Sequence, residues 1–321
     1  MRWMPWILAG LVLGVPASPA GAQSWPTRPV RVVVPYPPGG AADVLARAIG
    51  RKLGETLGQQ VIVENRAGAG SVIGTEAVAR ADPDGHTVLL TSTPMGTNPA
   101  LVAKLPYDTL SDFRGVAFVA FSPVVMVAHP SVPATSVKEM LALARSKPGG
   151  LTVATPGPGS MGHLTLEMLN RQAGIELRHI PYKGAAPALT DLLGGQVNLM
   201  FDNVGPARTQ IAAGRTRAIG VTALTRSGAL PEVPTFHEMG VTGFEAASWF
   251  GMFVPAKAPA EVIQRLNAEV NRAVARAELR ELYARDGYEA SPMTPQGLDA
   301  FLRSLIDKWS KLIREAGIAP Q

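Results

Sequence analysis

The stretch "PYPPGGAADVLARAIG", residues 35–50, decides the fold. Ahead of it runs Val30-Arg31-Val32-Val33-Val34, an apolar β-type run that ends in prolines and a glycine pair. Behind the glycines, Leu45, Ile49, Leu53 and Leu57 recur four residues apart, and Gly58 is a natural left-handed stop. Strand, glycine turn and amphipathic helix make one βα unit. A glycine pair at such a junction also leaves the first helical N–H groups open to approach.

The pattern repeats outward. Strand-like runs fall at 61–64, 87–91, 116–121, 124–129, 151–154, 177–180, 197–201, 217–222 and 249–254, with helical spacing at 136–146, 161–172 and 185–193. Such alternation implies an α/β protein with mainly parallel sheets. The C-terminal part is helical. Ile263, Leu266, Val270 and Val274 share a face of 259–276, and Thr294-Pro295 opens a helix expected to run to Gly317. The adjoining runs 118–127 and 244–254 suit strands that cross between two lobes, one inserted in the other.

Residues 1–22 read as a secretory leader: Arg2, an apolar run from Trp6 to Val15, and Ala20-Gly21-Ala22 as cleavage site. That run is too short for a membrane span, so the mature chain is expected to start near Gln23 in the periplasm. The chain has no cysteine, which excludes disulfides, thiolate metal sites and a lipid anchor on cysteine. The net charge is +5, but lysines and arginines are scattered among acids with no interleaved aromatics, which argues against nucleic acid.

Four loops share one chemistry: Tyr36 to Asp43, Asn65 to Ser71, Thr91 to Gly96, and Thr155 to His163. Each follows a strand. In an α/β sheet, strand C-terminal ends and the helix N-termini after them share the ligand-binding edge. Glycine nests and first-turn N–H groups there suit a carboxylate or phosphate. Any one of these loops is more often a plain turn; four on one edge point to a ligand.

Nucleotide motifs do not fit. Gly68-Ala69-Gly70-Ser71-Val72-Ile73-Gly74 has Ile73 where the dinucleotide fingerprint needs a small residue, and no Gly-Lys-Ser/Thr loop occurs. Neither does the nucleophile-elbow frame, nor metal spacing among His86, His129, His163, His179 and His237. His163 opens a helix at the expected edge, as ligand contact or as packing histidine. Asp202, in "MFDN", either meets a ligand cation or caps the next turn. Lys183, in "PYKG", is a carboxylate partner or simply solvated. No acid–base or nucleophile–base pair stands out, so no enzyme is expected.

The first long segment, from "PYPPGGAADVLARAIG" to "ADPDGHTVLL", is similar to Bug-type proteins, the TctC family of solute-binding components of tripartite tricarboxylate transporters. The likeness continues through "NPALVAKLPYDTLSDF", "IPYKGAAPALTDLLGGQVNLMFDN", "LPEVPTFHEMGVTGFEAASWFGMFVPA" and "VIQRLNAEVNRAV". The resemblance implies a type II periplasmic binding protein, a two-lobed Venus flytrap, with lobe 1 at 23–124 plus 250–321 and lobe 2 at 125–249. It implies a carboxylate held near Tyr36, Pro37, Gly39, Gly40, Ala41, Asp43, Gly68, Ala69, Gly70, Thr91, Ser92 and Thr93. From lobe 2 it implies Thr155, Gly157, Ser160, Gly162, His163, Tyr182, Lys183 and Asp202. Two departures stand out: the family's "ENRPGAGG" reads "ENRAGAGS" here, and Pro156 and Pro158 stiffen the fourth loop. The expected function is capture of a small carboxylate (a di- or tricarboxylate, amino acid or aromatic acid) for a membrane permease, by a monomer with no cofactor. A sensor subunit is the alternative, and an exported hydrolase a more remote one.

Overall fold

The computed structural model describes residues 25–320, so the expected leader and its cleavage site lie outside the described residues. The elements run β1 (Val30–Val34), α1 (Ala41–Leu57), β2 (Val61–Asn65), α2 (Val72–Ala79), β3 (Thr87–Thr91), α3 (Pro94–Leu101) and β4 (Phe113–Ala128). There follow α4 (Val137–Ser146), β5 (Thr152–Thr155), α5 (Met161–Ala173), β6 (Arg178–Pro181), α6 (Ala185–Leu193), β7 (Leu199–Asn203), α7 (Val204–Ala212) and β8 (Arg217–Val221). The chain closes with β9 (Ala247–Pro255), α8 (Ala260–Val274), α9 (Ala277–Asp286) and α10 (Pro295–Glu315).

β1 lies between β2 and β3 in parallel, and β5 lies between β6 and β7 in parallel. Antiparallel β4 and β9 join the two groups in the order β2-β1-β3-β9-β4-β7-β5-β6, with β8 also on β4. This is the α/β architecture the sequence implies, with mixed sheets whose parallel strands are flanked by helices. β1 is apolar throughout because both its faces are covered. Val30, Val32 and Val34 pack on Leu45, Ile49 and Leu53 of α1, while Val33 joins Val72, Val78 and Leu89 on the other side. Each fully buried leucine or isoleucine on α1 contributes roughly 1.5–3 kcal/mol. Gly58 ends α1 at φ 67, its N–H returning to the Gly54 carbonyl.

The runs expected as two strands, 116–121 and 124–129, are one continuous strand, β4. Its partner changes along its length. Phe113 to Pro123 pair with β9, and Val124 to Ala128 pair with β7 and β8. The sequence shows a break because Ser122-Pro123 interrupts the apolar pattern, yet both sides stay hydrogen-bonded to different neighbours. α10 also spans two cores: Leu298 and Leu302 pack with Phe118 and Trp249, whereas Trp309 and Ile313 pack with Leu164, Leu166 and Phe201. The C-terminal end of the helix therefore leaves the core that 250–298 builds.

Candidate functional site

The first loop is held from below. The Tyr36 hydroxyl lies 3.2 Å from Thr91 Oγ1 and accepts the Ser92 N–H at 3.1 Å, while Asn65 Nδ2 donates to the Tyr36 carbonyl at 3.1 Å. Desolvation pushes the Tyr36 phenol up to about 12, so it stays protonated across the biological range. Asp43 is buried, and its Oδ2 accepts from the Gly39 N–H at 3.0 Å and from Arg47 Nε at 3.1 Å. Burial acts to raise its pKa, but Arg47, the Gly39 N–H and Asn65 outweigh it, and the carboxyl sits below its ordinary value. Pro37, Gly39 and Gly40 are exposed above this frame. First-turn N–H groups such as those of Ala41 and Ala42 have no intrahelical partner, and Gly40 at the cap offers them no side-chain acceptor.

The second and third loops sit alongside. Four consecutive residues, Gly68, Ala69, Gly70 and Ser71, have positive φ (135, 46, 61 and 78). For Ala69 and Ser71 this is a strained choice, of the kind found at ligand clamps. Asn98 on α3 secures it by donating to the Gly70 carbonyl at 3.1 Å. Behind the loops, Thr91, Ser92 and Thr93 are buried, and Thr93 Oγ1 and the Tyr107 hydroxyl have no partner among the described residues. Ser71, which closes the second loop, shares this polar floor with Asn98 and Tyr107, and the latter two were not singled out from the sequence. The one signal available was that Asn98 and Tyr107 fall within "NPALVAKLPYDTLSDF".

The fourth loop is built differently. Its N–H groups are used internally: Gly157 donates to Thr155 Oγ1 at 3.3 Å, Gly159 to His163 Nδ1 at 3.1 Å, and Ser160 to the Gly157 carbonyl at 3.2 Å. Ser160 Oγ donates to the Gly157 carbonyl at 2.7 Å and accepts the His163 N–H at 3.3 Å, capping α5. Gly162 fits against the Phe201 carbonyl. The buried His163 ring stacks on His179 at 4.1 Å, so of its two sequence roles the packing one is visible here. From α3, Thr97 Oγ1 donates to the Gly159 carbonyl at 3.3 Å, bringing the fourth loop against the chain segment of the third. Of the remaining candidates, Tyr182 turns its hydroxyl to Asp191 at 2.6 Å and Lys183 is exposed. Asp202 is buried near the end of β7, accepting the Asn203 N–H at 2.8 Å and no other hydrogen bond among the described residues; desolvation pushes its carboxyl up to about 6.

Two surface cavities, about 510 and 330 Å³, lie elsewhere, one beside α4 and α5 and one between α1 and α9; no candidate residue lines either. Among the described residues there is no cluster of three His, Cys, Asp or Glu able to hold a metal, and no helix long and apolar enough to cross a membrane.

Mixed β-sheets joined by crossing strands, with glycine-rich loops after β1, β2 and β5, fit the class of two-lobed periplasmic binding proteins. Residues 45–318 match the TctC family, described as tripartite tricarboxylate transporter family receptor. A UPF0065 protein from the tcbD-tcbE intergenic region of Pseudomonas sp. (strain P51) is 42% identical over 313 residues, 96% of this chain and 93% of its own. The structure of R. palustris Rpa4515 with adipate superposes with TM-score 0.87 at 35% identity, over 92% of this chain and 100% of that one. That of MatC from Rhodopseudomonas palustris with bound malate gives TM-score 0.81 at 33% identity, over 90% and 100%. The chain belongs to the TctC/Bug family of periplasmic solute-binding proteins. It is a solute-binding receptor of the periplasm.

Proposed function

We propose that this protein captures a small carboxylate between lobe 1 (23–124 and 250–321, the end of α10 reaching across to the other core) and lobe 2 (125–249), and delivers it to a membrane permease as a monomer. The observation that carries this reading is the uncapped start of α1 under the exposed Gly39-Gly40 pair. A carboxylate oxygen there gains N–H donors and the positive end of the helix. The strained Gly68 to Ser71 turn and Thr91 to Thr93 flank the same spot. Adipate and malate in the two R. palustris relatives support the ligand class. Lobe 2 meets the far end of the ligand with Tyr182, Lys183 and Asp202. The fourth loop, Thr155 to His163, shapes that wall and offers few free donors.

The test is thermal unfolding of the mature chain, unfolded and refolded to strip carried solute, against di- and tricarboxylates, amino acids and aromatic acids. A ligand at 100 times its Kd adds about 2.7 kcal/mol, a rise of a few degrees for a chain of this size. A rise with one acid and none with its amide is expected. A flat response to every acid would overturn the reading.

A further inference from the structure

Two imidazoles brace the fourth loop at both ends. His163 Nδ1 accepts the Gly159 N–H at 3.1 Å. His179, stacked on it with 11° between the planes, places Nε2 2.6 Å from Thr155 Oγ1, the atom that accepts the Gly157 N–H. The braced loop in turn presents the Gly159 carbonyl to Thr97 of α3, and Leu101 of α3 packs so closely that Gly159 has no room for a Cβ. An acceptor Nδ1 bears no proton, so the His163 proton sits on Nε2, 3.7 Å from Glu167 Oε1. Glu167 on α5 and His179 on β6 are the titratable groups placed against the ring, and β7, also packed on α5, carries the buried Asp202. α3, across from the ring, carries none, and α10 brings Trp309 and Ile313 to the same core.

We propose that His163 is a positioning residue of the solute site: as a neutral acceptor it holds residues 155–160 in the shape that docks on α3, and its protonation frees them. A proton on Nδ1 would set N–H against N–H at Gly159 and place a cation beside His179. Burial, with His179 adding to it, pushes His163 down to about 4 from an ordinary 6.5. The sign follows: a depressed histidine stabilises the docked loop above the ordinary value and loses that contribution as pH falls toward the depressed one. Solute retention should weaken in the same window, a consequence that rests on the solute-binding reading above.

The loop itself is tested without solute, by amide hydrogen exchange at Gly159 in the mature protein between about pH 7.5 and pH 5. If docking requires neutral His163, the protection factor should fall by about 30-fold over that span. His163→Asn, which keeps a side-chain acceptor but cannot titrate, should hold a protection that does not vary with pH; His163→Leu should be low at both ends. Constant wild-type protection would overturn the proposal. So would His163→Asn following wild type, since the pH dependence would then belong to His179, Glu167 or Asp202. With adipate as probe, whose own protonation weakens binding toward acid in both proteins, Kd should rise more steeply toward acid in wild type than in His163→Asn; equal slopes while the loop titrates would remove the link to the solute site. Adipate and every other acid failing to bind at any pH would count against the carboxylate reading alone, and the amide would still decide the loop.

Discussion

Asp43 shows how one side chain serves a site without facing it. Its Oδ2 gathers the Gly39 N–H and Arg47, which sets the glycine turn at φ 84 over the start of α1. Truncation to alanine leaves that N–H and the Arg47 guanidinium without their acceptor, and should cost about 1–3 kcal/mol in urea unfolding at neutral pH. Because the carboxyl is depressed in the folded protein, its contribution is present above the ordinary value of 3.8 and lost as pH falls below it. Asp43→Asn should therefore lose less stability than wild type between pH 5 and pH 3; equal losses would show that Asp43 is not part of the acid response. The sequence places Asp43 beside the glycine pair but cannot tell a residue that builds a loop from one that touches what the loop holds. The same ambiguity attends Tyr182, whose hydroxyl goes to Asp191, and His163, whose ring goes to Gly159.

At the scale of elements, legibility tracks local signals. α1 and α6 are found at their full extents because a glycine turn opens each and a glycine closes each. α9 was not expected, since no glycine or proline separates it from α8. Arg276 breaks the helix with φ −68 and ψ 146 and no side-chain cap. The trace it leaves is a slip in phase, five residues from Val274 to Leu279 before the spacing of four resumes at Tyr283. α3 hides for a different reason, eight residues that include Pro94, Gly96 and Pro99, held by packing on α10 rather than by helix propensity. α10 itself was legible, but not its path from one core to the other, because only tertiary contacts distinguish the burial of Leu302 from that of Trp309. Trp309 is the anchor of that path, buried under the Lys308 ammonium at 4.8 Å. Trp309→Ala should cost about 3–5 kcal/mol by urea unfolding. A loss under 1 kcal/mol would mean the end of α10 is dispensable to the second core.

For the whole molecule, closure is limited by what joins the two halves. β4, β9 and α10 pass between them, and contacts form on two flanks. On one, Gly205 of α7 packs so tightly on α9 that a Cβ would lie 2.9 Å from the Asp286 carbonyl oxygen, and Arg208 reaches the Arg285 carbonyl. On the other, Thr97 of α3 donates to Gly159. A bond made only when the lobes are together biases the open–closed equilibrium by its own free energy, whereas a bond within one rigid body changes only that body's stability. Thr97→Val keeps the shape of this fully buried side chain and removes its donor. Losing a net hydrogen bond of about 0.5–1.5 kcal/mol shifts a two-state population by roughly 2- to 13-fold. If the bond spans the moving interface, the solute-free variant should show a larger radius of gyration in small-angle scattering with an unchanged melting temperature. If instead melting falls and the radius holds, α3 and the fourth loop move as one body, and the bond contributes only to that body's stability.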